Sequence, residues 1–198
     1  MVERGRYRAD MRLTGIIAPD RPLLVVAAEE EAVHLNHDLP LLITGMGKVN
    51  AAVAVARVLA SHRPSEIVNL GTAGALRSGI KGTHEISRVL QHDLDGAAIE
   101  ALTGRPTGLP LDLRHEGPVL ATGDAFVSSE AVRVRLAEHA DLVDMEGYAV
   151  ASAAHAAGVP VRLVKHVSDT ADEEAALTWK DSVESCARDL AAWVITHL

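Results

Sequence analysis

Leu23-Leu24-Val25-Val26-Ala27-Ala28-Glu29-Glu30-Glu31 is the stretch that sets the fold class. Its six apolar residues lack the two-residue alternation of a half-exposed strand and are too few for a buried helix. They predict a strand covered on both faces. Such a strand needs helices above and below it. Leu41-Leu42-Ile43-Thr44 reads as a second strand, stopped by Gly45. Lys48 to Ser61 follows without Gly or Pro and with several alanines, which predicts a helix, and Pro64 lies just beyond it. Ile67 to Leu70 is another buried strand, closed by Gly71. Further on, Ile86 to Leu90, Val119 to Thr122, Leu142 to Asp144 and Val161 to Val167 read as strands. Glu130 to Glu138 and Glu146 to Ala157 read as helices, the second ended by Gly158 and Pro160. A last helix runs from about Asp181 to His197, with Val183, Cys186, Leu190 and Val194 on one buried stripe. Leu94 to Gly117, rich in Gly and Pro, reads as irregular. This alternation predicts a three-layer αβα sandwich around a central, twisted, mixed but mostly parallel sheet.

The chain has 198 residues, which suits one domain spanning residues 23–198 after a partly flexible leader of residues 1–22. The leader carries Arg4, Arg6, Arg8 and Arg12 without the apolar centre of a signal peptide, and Met11 is an alternative start. No apolar run approaches the roughly 20 residues that span a bilayer. A net charge of −8 argues against a nucleic-acid surface, and 3% aromatic residues leave little for stacking on bases. Cys186, the single cysteine, excludes an intramolecular disulfide and suits a reducing cytoplasm.

In open α/β sheets ligands bind beyond the carboxyl ends of the strands. Four unusual clusters fall at such ends here. Glu29-Glu30-Glu31 follows the first strand; a solvated helix start accounts for two of the three acids, leaving one free to turn inward. Thr44-Gly45-Met46-Gly47-Lys48 and Gly71-Thr72-Ala73-Gly74-Ala75 bring backbone amides close to whatever binds there. Neither is a dinucleotide fingerprint or a P-loop, since Asn50 replaces the third glycine and Val49 follows Lys48. Asp144-Met145-Glu146 and Ser168-Asp169 end two apolar strands, where an acid is costly unless solvated, paired or used; a helix cap is the competing explanation for Asp169.

Six ordered blocks carry a resemblance: Ala28-Glu29-Glu30-Glu31, Thr44 to Ala52, Asn69 to Gly74, Thr122 to Val127, Val143 to Gly147, and Val167 to Glu174. Together they resemble the 5′-methylthioadenosine/S-adenosylhomocysteine nucleosidases of the nucleoside phosphorylase superfamily. The resemblance implies hydrolysis of a purine nucleoside's N-glycosidic bond, through an oxocarbenium-like state served by two carboxyl groups. It implies that Asp169 protonates purine N7 with Ser168 orienting it, and that Glu31 activates water. It places Glu146 on the ribose hydroxyls beside Asp144, with Met145 under the sugar. Phe126 would lie on the purine ring, the Val127 backbone on the base edge, and Thr72, Ala73, Gly74 and Ala171 around the substrate. It implies a homodimer, no cofactor and no metal.

Futalosine hydrolase and purine nucleoside phosphorylase stand as alternatives, and a nucleoside-binding module without catalysis is the non-enzymatic one. Phosphorylases of the superfamily carry a Gly-Asp-Pro type loop and a nearby arginine, where this chain has Ala27-Ala28-Glu29-Glu30-Glu31 and only an isolated Arg77. His34-x-x-His37 and His92-Asp93 are the sole metal-like spacings, expected by chance among ten histidines. Trp179 reads equally as an aromatic wall of the site and as an anchor for the last helix.

Overall fold

The computed structural model describes residues 11–35, 38–173 and 175–198, without the side chains of 176–178, 180 and 181. In chain order the elements are β1 (Arg12–Thr14), β2 (Leu23–Val26), α1 (Glu29–Ala32), β3 (Leu41–Ile43), α2 (Lys48–Leu59), β4 (Ile67–Ala75), β5 (Thr83–Glu85) and β6 (Arg88–Gln91). Then come α3 (Gly96–Thr103), β7 (Leu111–Asp112), β8 (Val119–Thr122), α4 (Glu130–Ala137), β9 (Leu142–Asp144), α5 (Gly147–Ala157), β10 (Val161–Asp169) and α6 (Ala175–His197). The expected α/β architecture holds, with helices flanking one mixed sheet.

The sheet runs β1-β3-β2-β4-β9-β8-β6-β7, with β10 on the other edge of β4 and β5 beyond β10. The interior pairs are parallel except β4 with β9, and the short strands β1, β5 and β7 add antiparallel. β4 is the strand on which the sheet divides. Its start, Ile67 to Asn69, pairs with Leu23 to Val25. On the same edge its end, Gly74 and Ala75, pairs with Val143 and Leu142. Residues 70–73 have no strand beside them on that edge, while β10 follows the other edge as far as Asp169 opposite Gly74. The sheet therefore forks at its centre.

β2 is buried on both faces as its apolar run requires. Leu24 and Val26 join Val68, Leu70, Val164, Leu190 and Trp193 under α6, whereas Leu23 and Val25 join Leu42, Val55, Ile67 and Val150 under α2 and α5. Successive side chains point to opposite faces, so each half of the run supplies one layer.

Several boundaries differ from the sequence expectation. β4 continues through Gly71 instead of ending there, and β10 extends to Asp169. α5 starts at Gly147 with Glu146 as its N-cap, and α6 starts at Ala175, before Asp181. The supposedly irregular Leu94–Gly117 segment holds α3 and β7. Asp95 caps α3 by accepting from the Ala98 amide at 2.9 Å, and Gly104 ends it at φ 68°. The helix buries none of its residues, so no amphipathic stripe revealed it. β1 was not expected either; it pairs Arg12 to Thr14 with Ile43 to Leu41, and Met11 and Ile17 pack on the α2 face. Residues 1–10 of the leader lie outside the described residues. Among the described residues no helix is long and apolar enough to cross a membrane.

Leu190 is fully buried where α6 meets β2, β4 and β10. Leu190→Ala should lower the unfolding free energy by about 2–5 kcal/mol in urea titration, the usual cost of emptying such a site. A loss below 1 kcal/mol would mean that α6 is not held by this contact.

Candidate active site

The fork is filled by a carboxylate. β2 feeds directly into α1, whose first two acids, Glu29 and Glu30, face solvent while Glu31 turns inward and is only 5% exposed. Glu31 Oε2 accepts from the Ala27 and Ala28 amides at 3.1 and 3.3 Å. Its Oε1 accepts from the Thr72 amide at 2.8 Å and the Thr72 hydroxyl at 3.1 Å. The side chain thus bonds the end of β2 to the stretch of β4 that has no neighbouring strand. Four donors compensate the carboxylate for lost water.

Behind Glu31 lies a lysine in mid-strand. Lys165 on β10 stands opposite Gly71 on β4. A Cβ at Gly71 would lie 3.1 Å from Glu31 Oε1 and 3.2 Å from Lys165 Nζ, so the absent side chain is the space into which both groups reach. Lys165 is 1% exposed and its ammonium sits 2.9 Å from Asp144 Oδ2. Burial pushes its pKa down, but Asp144, Glu146 and Glu31 together outweigh burial and hold it above the ordinary lysine value. Asp144 also accepts from the Thr122 hydroxyl at 2.6 Å and the Gly147 amide at 2.8 Å. Glu146, at the N-cap of α5, accepts from the Gly47 amide at 2.7 Å. Gly47 holds φ 93°, a backbone conformation disfavoured for residues with a side chain. Burial first, and then the charge of Asp144, push the Glu146 carboxyl up to about 8.

The third acid closes the site at the end of β10. Asp169 Oδ2 accepts from the Ser168 hydroxyl at 2.7 Å and Oδ1 from the Ala171 amide at 2.9 Å. A Cβ at Gly74 would stand 2.9 Å from Asp169 Oδ1, so glycine is required there for Asp169 to lie against β4. These groups border a cavity of about 290 Å³. Glu31, Thr72, Ala73, Gly74, Phe126, Val127, Asp144, Met145, Glu146, Ser168 and Asp169 all line it. Phe126 stands half exposed at the mouth, and Val127 is buried. Ala171 lies behind Asp169, bonded to it rather than on the wall.

A family model described as the phosphorylase superfamily matches residues 32–96 and 83–198. The chain belongs to that superfamily. A 5′-methylthioadenosine/S-adenosylhomocysteine nucleosidase of Geobacillus kaustophilus is 30% identical over 184 residues, covering 80% of this chain and 78% of the relative. The solved nucleosidase of that name from Streptococcus pneumoniae, bound to a transition-state inhibitor, superposes with a TM-score of 0.75 at 25% identity, over 88% of this chain and 96% of that one. Futalosine hydrolase of Helicobacter pylori gives 0.76 at 20% identity, over 88% and 96%, a likeness of fold alone.

Sequence reasoning in this superfamily member missed Lys165, whereas Gly47 belongs to the 44–48 cluster expected to present backbone amides, and its amide donates to Glu146. The signal for Lys165 was a lysine in the middle of a strand, but Arg162 and His166 share that strand and the partners of Lys165 lie on other elements. Trp179 lines the cavity and so belongs to the site. His92 is outside it: its ring packs where a Gly123 side chain would be, and its Nε2 is buried without a hydrogen-bond partner. His34 approaches Glu184 at 3.7 Å, and His37 lies outside the described residues.

The elevated Glu146 carboxyl has a consequence for stability. Above about pH 4.5 the unfolded chain releases this proton while the folded protein keeps it, so this group's contribution falls as pH rises toward 8. Glu146→Gln removes that dependence. Its melting temperature relative to wild type should rise progressively from pH 5 to pH 8 in parallel calorimetry. A difference that stays constant with pH would refute the shift.

Proposed function

We propose that the chain hydrolyses the N-glycosidic bond of a purine nucleoside of the 5′-methylthioadenosine/S-adenosylhomocysteine type, releasing adenine and the ribose moiety. The observation that carries hydrolysis over phosphorolysis is the charge of the cavity wall. Glu31, Asp144, Glu146 and Asp169 line it, and no described residue on it is a cation. A phosphate dianion would meet the Glu31 and Asp144 carboxylates, and two further acids, instead of the arginines or open amides it needs. Arg77 is engaged elsewhere, donating to the Ala137 carbonyl and lying 3.2 Å from Asp141. Water is neutral and pays no such penalty.

In this reading Glu31 takes a proton from water as the water oxygen bonds C1′. The C1′–N9 pair leaves with the purine, which gains a proton at N7 from Asp169. Ser168 and the Ala171 amide orient that acid. Positive charge developing on the sugar is favoured by the Glu31 and Asp144 carboxylates on the cavity wall. Glu146 holds the ribose hydroxyls, Met145 packs under the sugar, and Phe126 with Val127 takes the base. Neither cofactor nor metal enters any step.

The pure protein should release adenine from 5′-methylthioadenosine in phosphate-free buffer containing a chelator. Asp169→Asn should lower kcat by about 100- to 10,000-fold, the usual worth of a positioned general acid, while nucleoside affinity changes little. Strict dependence on phosphate, or a fully active Asn variant, would overturn the mechanism. Turnover confined to futalosine in a panel of purine nucleosides would move the substrate and leave the chemistry intact.

The working form in this reading is a cytoplasmic homodimer. Met46, Val49 and Val53 form an exposed apolar ridge along the start of α2, 49%, 70% and 60% exposed, beside the cavity mouth. Light scattering at micromolar concentration should give twice the chain mass, and Val53→Lys should shift it toward one. A fully active wild-type monomer would exclude the dimer.

A further inference from the structure

Trp179, in the first turns of α6, donates its indole Nε1–H to Thr72 Oγ1 at 2.8 Å. The same hydroxyl donates to Glu31 Oε1 at 3.1 Å. A carboxylate offers about four acceptor positions, and on Glu31 four donors occupy them: the Ala27, Ala28 and Thr72 amides and the Thr72 hydroxyl. The amides of Ala27, Ala28 and Thr72 are fixed by β2 and β4. Only the hydroxyl proton can turn aside, so a water proton reaches Glu31 by taking its place. What decides whether that turn is small is the anchoring of the Thr72 oxygen, and the indole N–H supplies the anchor.

We propose that Trp179 is a positioning residue for the reaction: its N–H fixes the Thr72 oxygen so that the hydroxyl proton alone yields its place on Glu31 to the attacking water. The inference rests on the hydrolytic reading, in which Glu31 receives the proton of water. It assigns Trp179 a polar role in addition to its place on the wall. The half-buried indole therefore has a polar partner within the site. Ser182, three residues on, donates to the Ser168 carbonyl at 3.1 Å and seats the same part of α6 on β10 beside Asp169.

Trp179→Phe keeps an aromatic ring and removes only the donor and some bulk. It should lower kcat roughly 3- to 10-fold, the range of one neutral hydrogen bond, with KM for 5′-methylthioadenosine nearly unchanged. Thr72→Val should lower kcat further, and adding Trp179→Phe to it should cost nothing more, because the two substitutions break one chain of bonds. Thr72→Ser should restore both the rate and its dependence on Trp179. Independently of activity, the Trp179 indole N–H resonance, assigned by its loss in Trp179→Phe, should move in Thr72→Val and return in Thr72→Ser. Additive losses, an effect on KM alone, or a resonance indifferent to Thr72 would each overturn the proposal. A wild-type protein that cleaves no nucleoside would overturn it together with the hydrolytic reading. An active wild type with an equally active Phe variant would overturn this inference alone.

Discussion

Lys165 and the carboxylates around it form the interaction on which the rest of this molecule depends. One ammonium group, sealed from water, sits 2.9 Å from Asp144 and shares its surroundings with Glu146 and Glu31. Removing either member of such a pair typically costs about 3–5 kcal/mol, because the other is left as an unpaired buried charge. The pair ties β10 to the end of β9, across the β4 strand that separates them. It also leaves the cluster with more negative than positive groups. Packing alone would favour an apolar core at the centre of a sheet. The acids instead stand where the strands part, and the space beside them is the cavity.

The fork gives that cavity its precision. Glu31 is held by the amides of Ala27 and Ala28, just after β2, and of Thr72 on β4, Glu146 by the amide of Gly47, and Asp169 by the amide of Ala171 and the hydroxyl of Ser168. Backbone donors on strands and tight turns hold a carboxylate more closely than long side chains do, because they have fewer rotors to order. The proposed hydrolysis asks for that fixity, since each acid must meet one edge of the substrate in one protonation state.

Much of the fold was legible because burial on both faces leaves a plain trace. The run Leu23 to Ala28 required two covering layers, and they are α6 on one side with α2 and α5 on the other. The triad Glu29-Glu30-Glu31 was legible too, as two solvated acids and one that turns inward. Gly71 misled because glycine weakens strands and is read as punctuation. Here it remains in β4 because Lys165 and Glu31 need the volume of its missing side chain. Lys165 escaped notice because its meaning depends on three acids that the chain delivers from other elements. α3 escaped because a helix that buries nothing leaves no periodic stripe, although Asp95 and Gly104 mark its ends.

Backbone conformation shows which contacts the molecule retains at a cost. Ala171 has φ 50°, the one positive value on a residue other than glycine among those described. That conformation costs a residue with a Cβ about 1–2 kcal/mol. Ala171 is 1% exposed, and in this conformation its amide donates to Asp169 Oδ1. The methyl group meanwhile packs close to the position a Gly74 side chain would need, so alanine fills space that glycine at 171 would leave empty. The two positions are complementary: Gly74 yields its side-chain volume so that Asp169 and Ala171 can approach β4, and Ala171 accepts the left-handed backbone so that Asp169 keeps an amide donor. With the Ser168 hydroxyl on its other oxygen, the carboxyl is gripped at both ends before any purine arrives.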